Sequence, residues 1–506
     1  MKYNSIKQIF LLIAALAITP FIFFLGKNFL LTEFFTTKYF LLAVIYCLFF
    51  ICVAAFATFF SKKILVFILF FAYFSFLQFY FFNIQQFLMT YIDRVTGYNV
   101  LGFIIFVSLI GTFLTRSSIY RNFIFILLFL NVAHTVIKLT PVTGKTLLTF
   151  FNTTNTFNKT LKTTSLTSKK YPNIFYIVPD GLASPKILNE YADIDFKDSI
   201  KKFEEKGFNV SEHNYSSYNS SHLALTALFK MDYPVTEKSK IYTNRYNFYP
   251  SIRDQNPKIT QYLKKNNYKF IIIPPRWGGC PKSKDYRCLR PIENTFLSKF
   301  FSDYAFFSMF ENSVIKKIYD YYGAPLFHDL DDAGKTALNH LKMNPEYWGD
   351  NGSFTMIHMK LPHWPFREKN CSINNRFTDP SKEGYRSSVY CAFNRIHELS
   401  DFIIKKYPNA SIIVQADHGL YPKIYPLNKR FVEISNSLID HRLAVFTAVR
   451  GCNSNQAAKL NQVNIVKYTI ECLVGGTPTK QSENKSYFGF TESSADFGKV
   501  FRVHKK

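Results

Sequence analysis

The chain has 506 residues, of which 48% are apolar and 18% aromatic, with 61 Lys and Arg against 35 Asp and Glu. Residues 1–140 hold 28 of the 56 Phe, a split that excludes one evenly built soluble globule, and the apolar share excludes a mainly disordered chain. Residues 1–168 carry 13 basic and 2 acidic side chains, leaving 48 and 33 for the rest. A basic soluble half suits nucleic acid or anionic lipid. Attachment to a membrane favours lipid, and no nucleic-acid partner is expected.

Five uncharged apolar stretches precede residue 140: Ile9–Gly26, Tyr39–Phe60, Ile64–Phe82, Tyr98–Thr115 and Asn122–Ile137. Each approaches the roughly 20 residues a helix needs to cross a hydrocarbon core. The first follows Lys2 and Lys7 but lacks a small-x-small cleavage site, so it reads as a retained helix rather than a signal peptide. The fifth is short and carries Asn131 and His134, which near the end of a span suit an interface or packing. With the N-terminus inside, the inner segments hold Lys2, Lys7, Lys62, Lys63, Arg116 and Arg121, against Lys27, Lys38 and Arg94 outside. Positive charge stays inside. Five crossings then put everything after residue 140 on the far side.

Cysteine usage agrees with that side being oxidising. Cys47 and Cys52 fall within the second stretch, whereas Cys280/Cys288, Cys371/Cys391 and Cys452/Cys472 follow in the outer half. Six cysteines allow 15 pairings. Nearest-neighbour loops are the simplest expectation, and a structural zinc site lacks C-x-x-C spacing. Residues 141–170, rich in Thr, Asn and Ser, read as a surface tether. The Gly144–Thr146 GKT within it has Leu139 where a phosphate loop needs Gly.

From residue 172 short apolar runs alternate with longer mixed segments: Asn173–Val178, Lys269–Ile273, Ser353–Met359, Ala410–Gln415 and Leu443–Val449, with helical periodicity between several, as at Ser387–Lys406. Buried strands alternating with helices predict an α/β domain round a mostly parallel sheet. Ligands gather beyond the carboxyl ends of such strands, and three ends are rich in chemistry. IVPDG places Asp180 past the first run, HMKLPHWP supplies His358 and His363, and IIVQADHG places Asp417 and His418. A DG or DHG alone is most often a turn, and a His before Trp-Pro a packed ring. Together, Asp180, Asp417 and His418 suit a divalent cation such as Zn²⁺ or Mn²⁺. The hydroxyl-rich segment 214–234 has two readings of equal weight: a Ser-rich helix cap, or Ser221 as a nucleophile favoured by the helix dipole and a cation.

These residues resemble a known group. IVPDG, Y-x-x-S-x-x-x-L at Tyr218–Leu225, H-x-x-x-x-H-x-P at His358–Pro365 and ADHG at Ala416–Gly419 follow the order of the alkaline phosphatase/sulfatase superfamily. With the five stretches in front, the chain is similar to its bacterial membrane branch, the phosphoethanolamine transferases and lipoteichoic-acid-synthase-like phosphoglycerol transferases. The resemblance implies a five-helix membrane domain (1–140), a membrane-surface linker (141–170) and an extracytoplasmic α/β alkaline-phosphatase-like catalytic domain (171–506), anchored in the bacterial inner (cytoplasmic) membrane. It implies a divalent metal, Zn²⁺ or Mn²⁺, held by Asp180, Asp417, His418 and the nucleophile Ser221. It assigns His363, His358 and His441 to the substrate phosphate or a second metal. The partners implied are a phospholipid donor and an envelope glycan or lipid acceptor.

The chain also departs from that group. Its nucleophile is usually Thr, and Glu commonly follows DHG where this chain has Leu420. A membrane-anchored module that binds glycan or lipid without turnover is therefore the alternative, with a phosphoester hydrolase a smaller third. Sulfatases need C/S-x-P/A-x-R, whereas SHLAL at Ser221 lacks both later residues, so that route is not expected.

Overall fold

The computed structural model describes residues 67, 97–114, 171–237, 257–275, 286–289, 332–348, 352–364, 366–372, 381–420, 434–475, 478, 483–489 and 500–503. The chain divides into two compact units. Of the first, the described part is essentially one helix, α1 (Gly97–Leu114), over the fourth apolar stretch. It has no acidic or basic residue and exposes Phe106, Leu109 and Phe113. Apart from Phe67, the other four stretches lie outside the described residues, and among the described residues no helix is long and apolar enough to cross a membrane.

The second unit begins with β1 (Ile174–Asp180), α2 (Pro185–Ala192), α3 (Lys197–Glu205), β2 (Asn209–Tyr215) and α4 (Ser221–Lys230). It continues through α5 (Lys258–Lys265), β3 (Lys269–Ile273), β4 (Tyr286–Cys288), α6 (Ala333–Met343), β5 (Ser353–Pro362), α7 (Lys382–Lys406) and β6 (Ser411–Gln415). It ends with α8 (Asn436–Leu443), β7 (Ala444–Arg450), α9 (Ser454–Ala457), α10 (Gln462–Val474), β8 (Ser486–Gly489) and β9 (Val500–Val503).

Seven strands form one sheet in the order β2-β7-β6-β1-β5-β3-β4, and β8 and β9 pair separately. Every neighbouring pair is parallel except those made by β7, which runs against both β6 and β2. The sheet is thus mostly parallel, and its central strands are the near-continuous apolar runs that burial on both faces requires. β1 and β6 are buried along their whole length.

Alternate side chains feed two cores. Phe175, Ile177, Ile357, Ile412, Val414 and Phe446 pack on one face against α2, α3, α6 and α7. On the other, Ile174, Tyr176, Phe354, Met356, Ile413 and Val449 meet α4, α5 and α10. β1 keeps register with β5 from Ile174↔Phe354 to Pro179↔Met359, then slips so that Asp180 faces Pro362. That irregularity lets the last residue of β1 leave the pleat at the sheet's carboxyl edge.

Two expected disulfides are present, Cys371–Cys391 and Cys452–Cys472. Cys288 is also disulfide-bonded, while Cys280 lies outside the described residues.

Candidate metal centre

The chemistry gathers where β1, β5 and β6 end. Asp180 closes β1, and Gly181 follows at φ +77, a left-handed turn that glycine adopts without strain. Tyr385 of α7 braces that turn: its hydroxyl donates to the Gly181 carbonyl (2.9 Å) and accepts from the Ala183 amide (3.2 Å). His358 comes from within β5, whose last residues reach the cis Leu361–Pro362 bond. Asp417 and His418 follow β6 directly.

One ligand atom from each of Asp180, His358 and Asp417 falls within 4.8 Å of the others, and all three residues are buried. His358 Nε2 lies 4.0 Å from Asp180 Oδ2 and 4.0 Å from Asp417 Oδ2. His418 Nε2 lies 3.4 Å from Asp180 Oδ1 and 3.8 Å from Asp417 Oδ2. Ser221 is the first residue of α4, and its hydroxyl donates to Asp180 Oδ1 at 3.5 Å. Five side chains from four distant places in the sequence thus share one small volume.

The donor set fits a divalent cation. Ligands held at about 2.0–2.2 Å round a tetrahedral ion stand about 3.4 Å apart, close to these separations. Asp417 divides its two oxygens between tasks. Oδ1 accepts from the amides of Gly181 (3.0 Å) and His418 (2.8 Å), whereas Oδ2 is fully buried and accepts no hydrogen bond. A buried carboxylate oxygen left so is costly unless a cation meets it.

His418 points the same way. Its Nδ1 lies 2.6 Å from the Gly419 carbonyl and 3.3 Å from Arg442 Nη1, and its Nε2 faces the two carboxylates. A cation between them would be met by one nitrogen and two carboxylates.

Electrostatics agree with the geometry. Burial alone would raise the Asp180 carboxyl, but His363, His418 and His358 beside it hold it well below the usual carboxylate range. Burial pushes the His358 imidazole down despite Asp417 and Asp180 next to it, the direction that favours a ligating nitrogen.

The remaining expected residues lie further out. His363 is exposed, its Nδ1 2.6 Å from the Trp364 carbonyl, and it acts on Asp180 through charge. His441, on α8, packs edge-on against Tyr191 at 5.4 Å, with Nε2 3.4 Å from Ser437 Oγ. His358, linked in the sequence to substrate or a second metal, sits within the tight group itself.

Residues without a motif support the centre. Gln462, at the start of α10, donates to the Ala416 and Asp417 carbonyls and accepts from the Ser217 amide. The Ser216 hydroxyl donates to the Asp417 carbonyl at 2.5 Å. The buried Arg442 donates to the carbonyls of Asn219, Gly419 and Leu420. Only the run of hydroxyls before α4 hinted at this second layer.

No family model and no curated protein matches the sequence. Solved structures do resemble it, among them members of the alkaline phosphatase superfamily. The integral membrane lipooligosaccharide phosphoethanolamine transferase A of Neisseria meningitidis is 11% identical, with 92% of this chain and 95% of that one covered and a TM-score of 0.40. A protein in the alkaline phosphatase superfamily from Vibrio parahaemolyticus is 13% identical, over 64% of this chain and 74% of its own, at 0.38. The phosphonate monoester hydrolase of Silicibacter pomeroyi is 11% identical, over 63% and 79%, at 0.39. At such values, what the chain does is decided by the chemistry of its own centre.

Proposed function

We propose that residues 171–506 form a metal-dependent phosphotransferase that moves a phospholipid head group, phosphoethanolamine or phosphoglycerol, to an envelope glycan or lipid acceptor. One observation carries this reading: a hydroxyl at a helix N-terminus lies 3.5 Å from a carboxylate within a buried Asp, His and Asp group. Asp180, His358, Asp417 and His418 would hold the cation, Zn²⁺ or Mn²⁺ by the donor set. When bound, such an ion lowers the pKa of a nearby hydroxyl and offsets charge on phosphoryl oxygens.

The chain's own residues do the rest. Ser221 Oγ bonds to phosphorus, the bond to the diacylglycerol oxygen breaks, and diacylglycerol leaves with the proton the serine gave up. An acceptor hydroxyl then takes the head group from phosphoserine and returns a proton to Ser221. His363, exposed beside the group, would meet the phosphate before attack. The apolar stretches before residue 140 support a membrane domain there, with 141–170 as linker. The Lys and Arg bias supports a domain outside a bacterial inner membrane, close to its lipid donor.

Leu420, where the group this chain resembles commonly has Glu, is fully buried in the apolar core. That favours a second reading, a binding module of the same fold without turnover. Purified protein incubated with fluorescent phosphatidylethanolamine or phosphatidylglycerol separates the two. The expected result is bound metal and diacylglycerol release from one lipid, abolished by Ser221→Ala. Release that survives the substitution refutes the nucleophile, and metal-free protein without turnover favours the binding module.

A further inference from the structure

The junction of α8 and β7 touches three of the segments that carry groups of the centre. Three consecutive carbonyls there each accept from a different loop. Arg442 O takes the Gly419 amide (2.7 Å), Leu443 O the Ser216 amide (2.7 Å) and Ala444 O the Ser184 amide (3.2 Å). Those amides lie in the segments bearing Asp417 and His418, Ser221, and Asp180. The Arg442 side chain adds a second tie. It is 4% exposed, and its Nη2 donates to the Asn219 carbonyl, two residues before Ser221. Its Nη1 reaches the carbonyls of Gly419 (3.4 Å) and Leu420 (3.3 Å), just after His418. A planar fork can bridge two loops in this way, whereas an ammonium on a flexible stem cannot do so with the same rigidity.

We propose that Arg442 is a positioning residue. Its guanidinium, seated on the 442–444 junction, fixes the spacing between the Ser221 segment and the Asp417–His418 loop, and so the shape of the cation site. The proposal rests on the metal-centre reading, but not on any particular substrate. Gly419 shows how tight the junction is, since a Cβ there would overlap the His441 carbonyl and press on that of Ala444. Residues that orient ligands from behind typically change metal affinity or activity by about 10–100-fold when altered.

The test uses the full chain in detergent. Arg442→Lys keeps the charge and loses the fork, and Arg442→Met removes both. Titration with Zn²⁺ or Mn²⁺ should show affinity about 10–100-fold weaker in both variants, with near-ultraviolet circular dichroism retained. Where a lipid is turned over, kcat should fall by a similar factor with KM little changed. Wild-type metal affinity in Arg442→Lys overturns the proposal.

Hydrogen exchange on the unaltered protein provides a check that does not depend on how the variants fold. The amides of Ser184, Ser216 and Gly419 should be protected like those of β1 and β6, and rapid exchange at all three overturns the clamp. Failure of the transferase reading looks different: lipid release is absent or survives Ser221→Ala, while the metal titration still separates Arg442→Lys from wild type.

Discussion

At the residue scale the centre depends on single atoms facing one way. Asp417 spends one oxygen on two amides and keeps the other buried without a hydrogen bond. Asp417→Asn leaves room for the same amide contacts but replaces a charged ligand oxygen with an amide group. We expect Zn²⁺ or Mn²⁺ affinity to fall by about a hundredfold or more, with the fold retained, as read by metal titration beside thermal unfolding. Gly419→Ala meets a different limit. Its Cβ would overlap the His441 carbonyl oxygen, so the loop must shift at a cost of about 1–3 kcal/mol, visible as a lower unfolding midpoint. That Asp180 and Asp417 sit at one sheet edge was legible in the sequence, because each follows an apolar run, with glycine next or next but one. Arg442 was not, because a basic residue in the last turn of a helix looks like an ordinary partner of the helix dipole.

At the element scale, each of the five strands that burial makes apolar was legible, with ends within a few residues of those observed. The rest escaped for physical reasons. β2 reads NVSEHNY and buries only Asn214, so it shows neither an apolar run nor alternation. It owes its conformation to pairing along β7, a tertiary effect that overrides local preference. β4, β8 and β9 span three or four residues each, too few for a periodic signal. The direction of β7 was equally hidden, since a buried antiparallel strand has the same composition as a parallel one. Each described disulfide closes a separation of 20 residues. Replacing Cys371 and Cys391 together with Ser should therefore lower stability by about 3 kcal/mol in denaturant titration.

For the whole molecule, acid is the condition to examine. His397 on α7 stacks on Phe203 at 4.4 Å, and its Nδ1 lies 3.4 Å from Lys206 Nζ. Burial, with Lys206 second, pushes its imidazole down to about 4. An unfolded chain takes up that proton near pH 6.5, so the unfolded state binds more protons between the two values and stability falls as pH drops through them. Asp180, held low, extends the same sign of loss to more acid solution. His397→Gln should flatten the slope of stability between about pH 6.5 and about 4, read from denaturant midpoints across that range. Topology offers a separate test. The bias of Lys and Arg in residues 1–121 expects reporter fusions after residue 171 to be active only outside the cytoplasm.

The reversed strand has a consequence for synthesis. β7 is the last strand of the large sheet to leave the ribosome, and because it runs against its neighbours its first residues, not its last, arrive beside Asp180 and Asp417. A nascent chain therefore carries Asp180, Ser221, His358 and Asp417 before it owns the carbonyls of residues 442–444 that tie three of their segments together. A product ending short of residue 442 would keep β1, β5 and β6 but lack those carbonyl ties, so the last adjustment of the group waits until most of the domain has been made.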